Sequence, residues 1–158
     1  MEITNEIKLK VFAQYLGQKA LTNKQSYKDP SAGKLSQVDI STNELVTDGE
    51  GGYYLSDTSN TKLILKPLSA ISDEDAIEVC KLQQEFKEQK DIKVGFYIDI
   101  KNNGCLDCII EWDGYKHDYF QPVYSTTYQF LQSKGYDLPQ YLLGGKTLQE
   151  CGLAIYDN

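Results

Sequence analysis

The sequence contains no arginine and a single histidine, His117, against sixteen lysines. Arginine grips phosphate and carboxylate groups with a planar fork, whereas lysine offers only a point charge. Histidine is the side chain whose ordinary pKa suits proton transfer near neutral pH. A chain with so little of either lacks the commonest groups of phosphoryl-transfer and hydrolytic catalysis. The sequence therefore predicts a protein that binds rather than catalyses, and we expect no enzyme activity and no cofactor.

The chain also lacks a long hydrophobic run. No stretch approaches the roughly 18–20 apolar residues that cross a bilayer, and the first ten residues carry acidic groups without the apolar segment of a secretory signal. These features predict a cytoplasmic protein with no membrane partner. In that reducing compartment the four cysteines are expected to be free thiols.

The formal net charge is −7. Proteins that bind nucleic acid usually present a basic face, because contacts to phosphates supply most of the non-specific affinity. The lysines here are scattered among acidic residues and form no basic stripe. We therefore expect no nucleic-acid partner. An acidic surface either keeps the protein in solution or meets a basic partner.

Capping residues and apolar spacing predict three helices and one helical turn. Thr4 and Ser72 are of the residue types that accept a hydrogen bond at a helix start, and Thr147 with Glu150 forms a capping box. Glycines follow three of these segments and mark their ends. The predicted helices cover residues 4–16, 72–90 and 122–134, and the predicted stops are Gly17, Gly135 and Gly152.

The remaining segments predict β-structure. Turn-forming residues divide residues 18–62 into short strands, and a further strand covers 62–66. Unbroken apolar alternation from residue 92 predicts a three-stranded antiparallel meander over 92–120. The predicted fold class is α+β, an antiparallel meander packed by helices, with an N-terminal helix and a small additional β region. We expect a single domain over 1–158, with an N-terminal part at 1–67 and a C-terminal part at 68–158.

The register of the meander follows from its turns. A three-residue loop ending at Gly104 keeps one face of the first hairpin apolar and places Phe96 opposite Ile110. A two-residue loop would place a charged residue on that face, so the longer loop is the prediction. Residues 113–114 form the next turn.

This register places Asp99 directly opposite Asp107 on the outward face, which also carries Lys101 and Glu111. Like charges that face each other destabilise a sheet unless a cation neutralises them. The four residues are therefore predicted to bind a divalent cation or a basic partner. The alternative interpretation is a set of solvated carboxylates that discourage edge-to-edge pairing.

The chain has twelve tyrosines. They cannot all be buried without partners for their hydroxyl groups, and tyrosine is enriched where proteins meet. Among them, Tyr53, Tyr54 and Tyr97 are predicted to take part in binding.

The cysteines and the histidine are predicted to form no metal site. Cys105 and Cys108 form a C-x-x-C pair, but they fall in a predicted strand, where residues three apart point to opposite faces. His117 is expected to be a hydrogen-bonded core residue. The glycine-rich stretch at 49–52 is expected to be a turn, because no lysine followed by serine or threonine comes after it.

Two blocks of the sequence resemble small uncharacterised proteins encoded by bacteriophages and prophages of gut bacteria. Residues 64–79 run from a strand through L-K-P-L-S into an acidic helix start, and residues 130–155 contain S-K-G-Y and end in G-L-A-I. The N-terminal helix leading to residues 14–17 matches more loosely. Together the blocks cover about a third to a half of the chain. The resemblance implies a phage-type accessory protein and transfers no activity.

The leading hypothesis is a non-enzymatic phage-type protein that binds a host protein in the host cytoplasm and inhibits a defence system. The first alternative is a small-ligand binder that sequesters a nucleotide or signalling molecule with lysines and stacked tyrosines. The second alternative is a divalent-metal-dependent enzyme built around Asp99 and Asp107. The sequence leaves open whether the protein forms a homo-oligomer.

Overall fold

The computed structural model describes residues 2–22, 33–49, 52–82, 92–96, 107–112, 115–120 and 123–156. The described α-helices are α1 (Asn5–Ala13), α2 (Asp73–Leu82) and α3 (Ser125–Ser133). The described strands are β1 (Ala20–Thr22), β2 (Lys34–Asp39), β3 (Glu44–Gly49), β4 (Gly52–Ser56), β5 (Thr61–Pro67), β6 (Ile92–Phe96), β7 (Asp107–Trp112), β8 (Tyr115–Phe120), β9 (Tyr136–Asp137) and β10 (Ala154–Tyr156). This confirms the predicted α+β class.

Two of the predicted helix starts are confirmed by hydrogen bonds. Thr4 Oγ1 accepts a hydrogen bond from Ile7 N (3.3 Å), and Ser72 Oγ accepts one from Asp75 N (3.1 Å). Each bond satisfies a backbone donor that has no partner within the helix. Helices α1 and α3 are shorter than predicted, and residues 83–90 of the second predicted helix lie outside the described residues.

The N-terminal strands form an antiparallel sheet in the order β2-β3-β4. The predicted turn between β2 and β3 is confirmed, with Asn43 in the left-handed region at φ 57°. The turn that follows β4 is confirmed as well, because the Asp57 carboxylate accepts hydrogen bonds from Ser59 N and Asn60 N, both at 3.0 Å.

A second sheet is built around β5. Strand β1 pairs with β5 antiparallel, whereas β10 pairs with it parallel, through Leu63 opposite Ala154. The short strand β9 pairs parallel with the end of β5. The prediction of strand 62–66 is confirmed, but the two parallel partners were not predicted. This mixed sheet brings distant parts of the chain to one central strand.

Strands β6, β7 and β8 form the predicted three-stranded antiparallel meander. Trp112 pairs with Tyr115, and residues 113–114, where a turn was predicted, lie outside the described residues. The register of the first hairpin was wrong by two residues, because Phe96 pairs with Cys108 and not with Ile110. A two-residue slip returns every side chain to its original face, so the apolar alternation did not distinguish the two registers.

The main core lies between α1, the β2-β3-β4 sheet and the mixed sheet around β5. Its largest fully buried side chains include Phe12, Tyr15 and Leu63. A second apolar cluster joins α2 to α3 through Val79, Leu131 and the neighbouring strand β9. Among the described residues, no helix is long and apolar enough to cross a membrane.

Candidate functional site

An apolar groove of about 760 Å³ runs along the outer face of the β2-β3-β4 sheet. We call it the sheet groove; its apolar lining is Leu16, Val38, Ile40, Val46 and Leu55. Leu55 is 70% exposed, and Leu16 is 51% exposed. Large aliphatic side chains exposed together on one face mark an interaction surface more often than isolated ones do.

Successive side chains of a strand point to opposite faces of the sheet, and this alternation explains which residues line the groove. Leu45 and Thr47 of β3 are buried in the core, so Val46 between them points to the opposite face. Val46 pairs with Leu55 of β4. The sheet therefore has a buried apolar face toward α1 and a second apolar strip that faces outward.

The two edges of this sheet differ. The outer edge of β2 is closed by the segment that follows α1, because Gly17 N donates to Leu35 O (2.7 Å) and Leu35 N donates to Gln18 O (2.8 Å). Strand β4 is the other edge, and none of the strands in the described ranges pairs with its outer side. An edge strand of this kind can accept an extended segment from another chain.

Carboxylates surround the apolar strip. Asp39 and Glu44 line the sheet groove, and Asp48 is the cross-strand neighbour of Tyr53. Hydrogen bonds from the Ser41 hydroxyl (2.6 Å) and from neighbouring backbone amides hold the pKa of Asp39 below its usual value. Asp39 is therefore ionised at neutral pH, and the groove combines an apolar floor with an anionic rim.

Two of the predicted binding tyrosines belong to strand β4, at one edge of this sheet. Tyr53 is 74% exposed on the outer face of β4, and Tyr54 pairs with Thr47 in the same sheet. The third, Tyr97, lies outside the described residues.

The predicted carboxylate site falls in a different sheet. Asp107 and Glu111 belong to β7, where Glu111 pairs with Lys93 on one side and Lys116 on the other. Asp99 and Lys101 lie outside the described residues, and the register that set Asp99 against Asp107 is the one corrected above.

A second concavity, of about 460 Å³, lies where the turn after α1 meets β5 and the end of α3. We call it the lysine pocket, because Lys19, Lys34, Lys66 and Lys134 line it. This set of lysines was not predicted, since the four residues are far apart along the chain. The local indication in the sequence was a lysine close to each of two helix-ending glycines, Lys19 after Gly17 and Lys134 before Gly135.

The most buried carboxylate of the described chain, Asp137, serves the fold. It accepts hydrogen bonds from Leu148 N (2.8 Å), Gln149 N (3.0 Å) and the Tyr156 hydroxyl (2.9 Å). Burial raises its pKa. Its acceptor positions are used to cap the helical turn that begins at Thr147, so it is not positioned as an acid or base for a substrate.

No metal centre is found among the residues that the structure describes, because no three His, Cys, Asp or Glu side chains there converge. Cys151 is a free thiol, and burial raises its pKa, which disfavours the reactive thiolate. His117 pairs with Ile110 within the meander.

Comparison of the chain with protein-family models, curated proteins and solved structures found no match.

Proposed function

We propose that the protein acts by binding a partner protein through the sheet groove. The observation that carries this proposal is the exposed apolar strip of Val46 and Leu55 beside the outer edge of β4. A strand edge supplies backbone donors and acceptors for an added strand, and the strip supplies apolar contact area for its alternate side chains. The two features occur on the same strand.

The partner segment has a defined chemistry in this proposal. It is an extended segment whose groove-facing residues, which are every second residue, include both aliphatic residues and lysine or arginine. Aliphatic side chains would cover Leu55 and Val46, while the basic side chains would meet Glu44 and Asp48 on the same face of β3. The net charge of −7 would also speed the encounter with a basic partner.

The biological setting is proposed from the sequence. The blocks at 64–79 and 130–155 resemble phage and prophage proteins. We infer a phage-type accessory protein whose partner is a host protein in the host cytoplasm, and whose binding inhibits a host defence system. The scarcity of catalytic side chains favours a binding role over turnover.

A peptide assay tests the recognition directly. The probes are a fluorescent peptide in which every second residue is in turn valine or lysine and the residues between them are threonine, a counterpart with glutamate in place of lysine, and the first peptide with N-methylated backbone amides. We expect the first peptide to bind at least about tenfold more tightly than either of the others, and to lose this advantage with the Leu55→Lys variant. Equal binding of all three peptides would contradict the proposal.

Affinity capture from host lysate then identifies the partner. Tyr141→Ser is the matched control, because Tyr141 is 84% exposed but lies outside the groove. We expect a protein retained by the wild type and by Tyr141→Ser but not by Leu55→Lys. Capture of the same proteins by all three would contradict the proposal. Sedimentation that shows a wild-type dimer abolished by Leu55→Lys would assign the groove to a second copy instead.

A further inference from the structure

The lysine pocket concentrates positive charge in an acidic protein. Four of the sixteen lysines line one concavity of about 460 Å³, and the described part of its lining contains no aspartate or glutamate. Ile64 and Leu65 form part of its wall. Volumes of this order are typical of sites for small molecules.

Two of the lysines are direct neighbours across a β-bridge. Lys19 and Lys34 are antiparallel partners, and like charges at such positions destabilise the pair. This unfavourable pair of lysines lines the lysine pocket. Asp48 pairs with Lys34 on the other side, yet no ion pair within 4 Å joins them, and Lys19 is likewise without one among the described residues.

The other two lysines are held by neighbouring side chains. Lys66 Nζ lies 4.6 Å from the centre of the Tyr136 ring, a cation–π contact that leaves its hydrogen-bond donors free for a ligand. Lys134 Nζ lies 3.9 Å from Asp75 Oδ1, at the outer limit of an ion pair. Within the described ranges, one carboxylate therefore lies within 4 Å of any of these four ammonium groups.

The backbone brings these four lysines together from separate segments. Ile64 N donates to Lys19 O (2.9 Å), and Lys66 N donates to Gly135 O (2.8 Å). Strand β5 thus holds the turn after α1 on one side and the end of α3 on the other. Because these bonds belong to the sheet, the pocket exists without a ligand.

We propose that the lysine pocket binds the phosphate chain of a small multiply phosphorylated ligand. Lysines offer point charges without a fork, so several lysines spread around a cavity suit several linked phosphates better than a single one. No aromatic residue is among the described lining residues, so the described lining offers no ring on which the base of a nucleotide could stack. The phosphate chain is the recognised group, whether it is inorganic or part of a nucleotide. This site is independent of the sheet groove.

Calorimetry and thermal shift at low ionic strength test this inference, with sodium triphosphate, ATP without a divalent cation, and inorganic phosphate as probes. We expect triphosphate and ATP to bind with similar affinity and to raise the melting temperature. Inorganic phosphate should bind at least about tenfold more weakly, because it spans fewer lysines.

Charge-matched variants separate the pocket from general attraction. Lys19→Gln/Lys66→Gln should weaken triphosphate binding at least about tenfold, while Lys8→Gln/Lys62→Gln, which removes two lysines outside the pocket, should leave it unchanged. Lys19→Gln alone should melt no lower than the wild type without ligand, because it relieves the Lys19–Lys34 repulsion. Loss of binding without loss of stability separates a ligand role from a structural one.

Three outcomes would overturn the inference. They are an absence of triphosphate binding to the wild type, equal weakening by the two double variants, and binding of ATP without binding of triphosphate. The last outcome would indicate recognition of the base. Leu55→Lys should bind triphosphate as the wild type does, so this test and the test of the sheet groove fail separately.

Discussion

The hydroxyl of Tyr136 donates a 2.6 Å hydrogen bond to the Asp75 carboxylate at the first turn of α2. The same hydroxyl accepts a hydrogen bond from Ser72 N (3.2 Å). In a capping box the carboxylate at this position would accept the hydrogen bond of the cap residue's amide itself. Here the Tyr136 hydroxyl lies between the Ser72 amide and the Asp75 carboxylate. It therefore links the start of α2 to strand β9.

Replacement of Tyr136 with phenylalanine tests this link. The change leaves the Asp75 oxygen and the Ser72 amide without their partner, so we expect the free energy of unfolding to fall by about 1–3 kcal/mol. Urea denaturation measures the loss, with Tyr141→Phe as the control because Tyr141 is exposed. Equal stability of the two variants would show that the bridge contributes nothing.

Asp137→Asn should also destabilise the protein. An asparagine offers one acceptor oxygen, so its amide group would face Gln149 N, another donor. We expect a loss of about 1–3 kcal/mol in the free energy of unfolding. Glu150→Gln is the control: Glu150 is exposed, and Thr147 N–H and the Thr147 hydroxyl both donate to one of its carboxylate oxygens, which an amide oxygen can replace. A larger loss for the control would contradict this account of Asp137.

Two glycines that line the lysine pocket allow backbone strain and steric clash to be separated. Gly17 and Gly135 have φ values of 91° and 83°. A Cβ at Gly17 meets no atom within 4 Å, whereas one at Gly135 would lie 2.8 Å from Gln18 Oε1. We expect Gly17→Ala to cost about 1–2 kcal/mol of unfolding free energy. Gly135→Ala should cost more, because the Gln18 side chain would have to move and give up its 2.9 Å hydrogen bond to Ser133 O. Thermal denaturation in parallel measures both, and the reverse order would contradict the described contact.

Alkaline pH should unfold the protein through its buried tyrosines. Burial raises the pKa of Tyr15 and Tyr128, and burial together with the nearby Asp137 charge raises that of Tyr156 to about 12. Since the folded protein keeps protons that the unfolded chain releases, these groups stabilise the fold below about pH 10 and lose that effect as pH rises toward 12.

The Tyr156→Phe variant isolates one of these groups. Between about pH 10 and 12, the slope of unfolding free energy against pH should become shallower by up to about 1.4 kcal/mol per pH unit. Urea denaturation across this range measures the slope. An unchanged slope would mean that Tyr156 keeps an ordinary pKa in the folded state.

Features encoded by neighbouring residues could be predicted from the sequence. Thr4 and Ser72 cap helices through bonds to amides three residues away, and the Thr147–Glu150 box forms as expected. Such interactions depend on residue type and spacing alone. The predicted turns between short strands follow the same rule.

Features that depend on distant contacts could not be predicted in this way. No local pattern indicates that Ala154 pairs with Leu63, or that lysines at 19, 34, 66 and 134 surround one cavity. The sheet groove was missed for a related reason, because Val46 and Leu55 look like ordinary core residues of short strands. The exposure of Tyr53 agrees with its predicted place in binding, and that function stays a prediction.

The parallel pairing of β10 with β5 has a consequence for synthesis of the chain. Leu63 and Leu65 leave the ribosome long before residues 154–156, which form their neighbouring strand. Until then the nascent chain carries these two leucines beside an unfilled position in the sheet, where chaperones that recognise aliphatic segments can bind. Release from such chaperones would then depend on synthesis of β10.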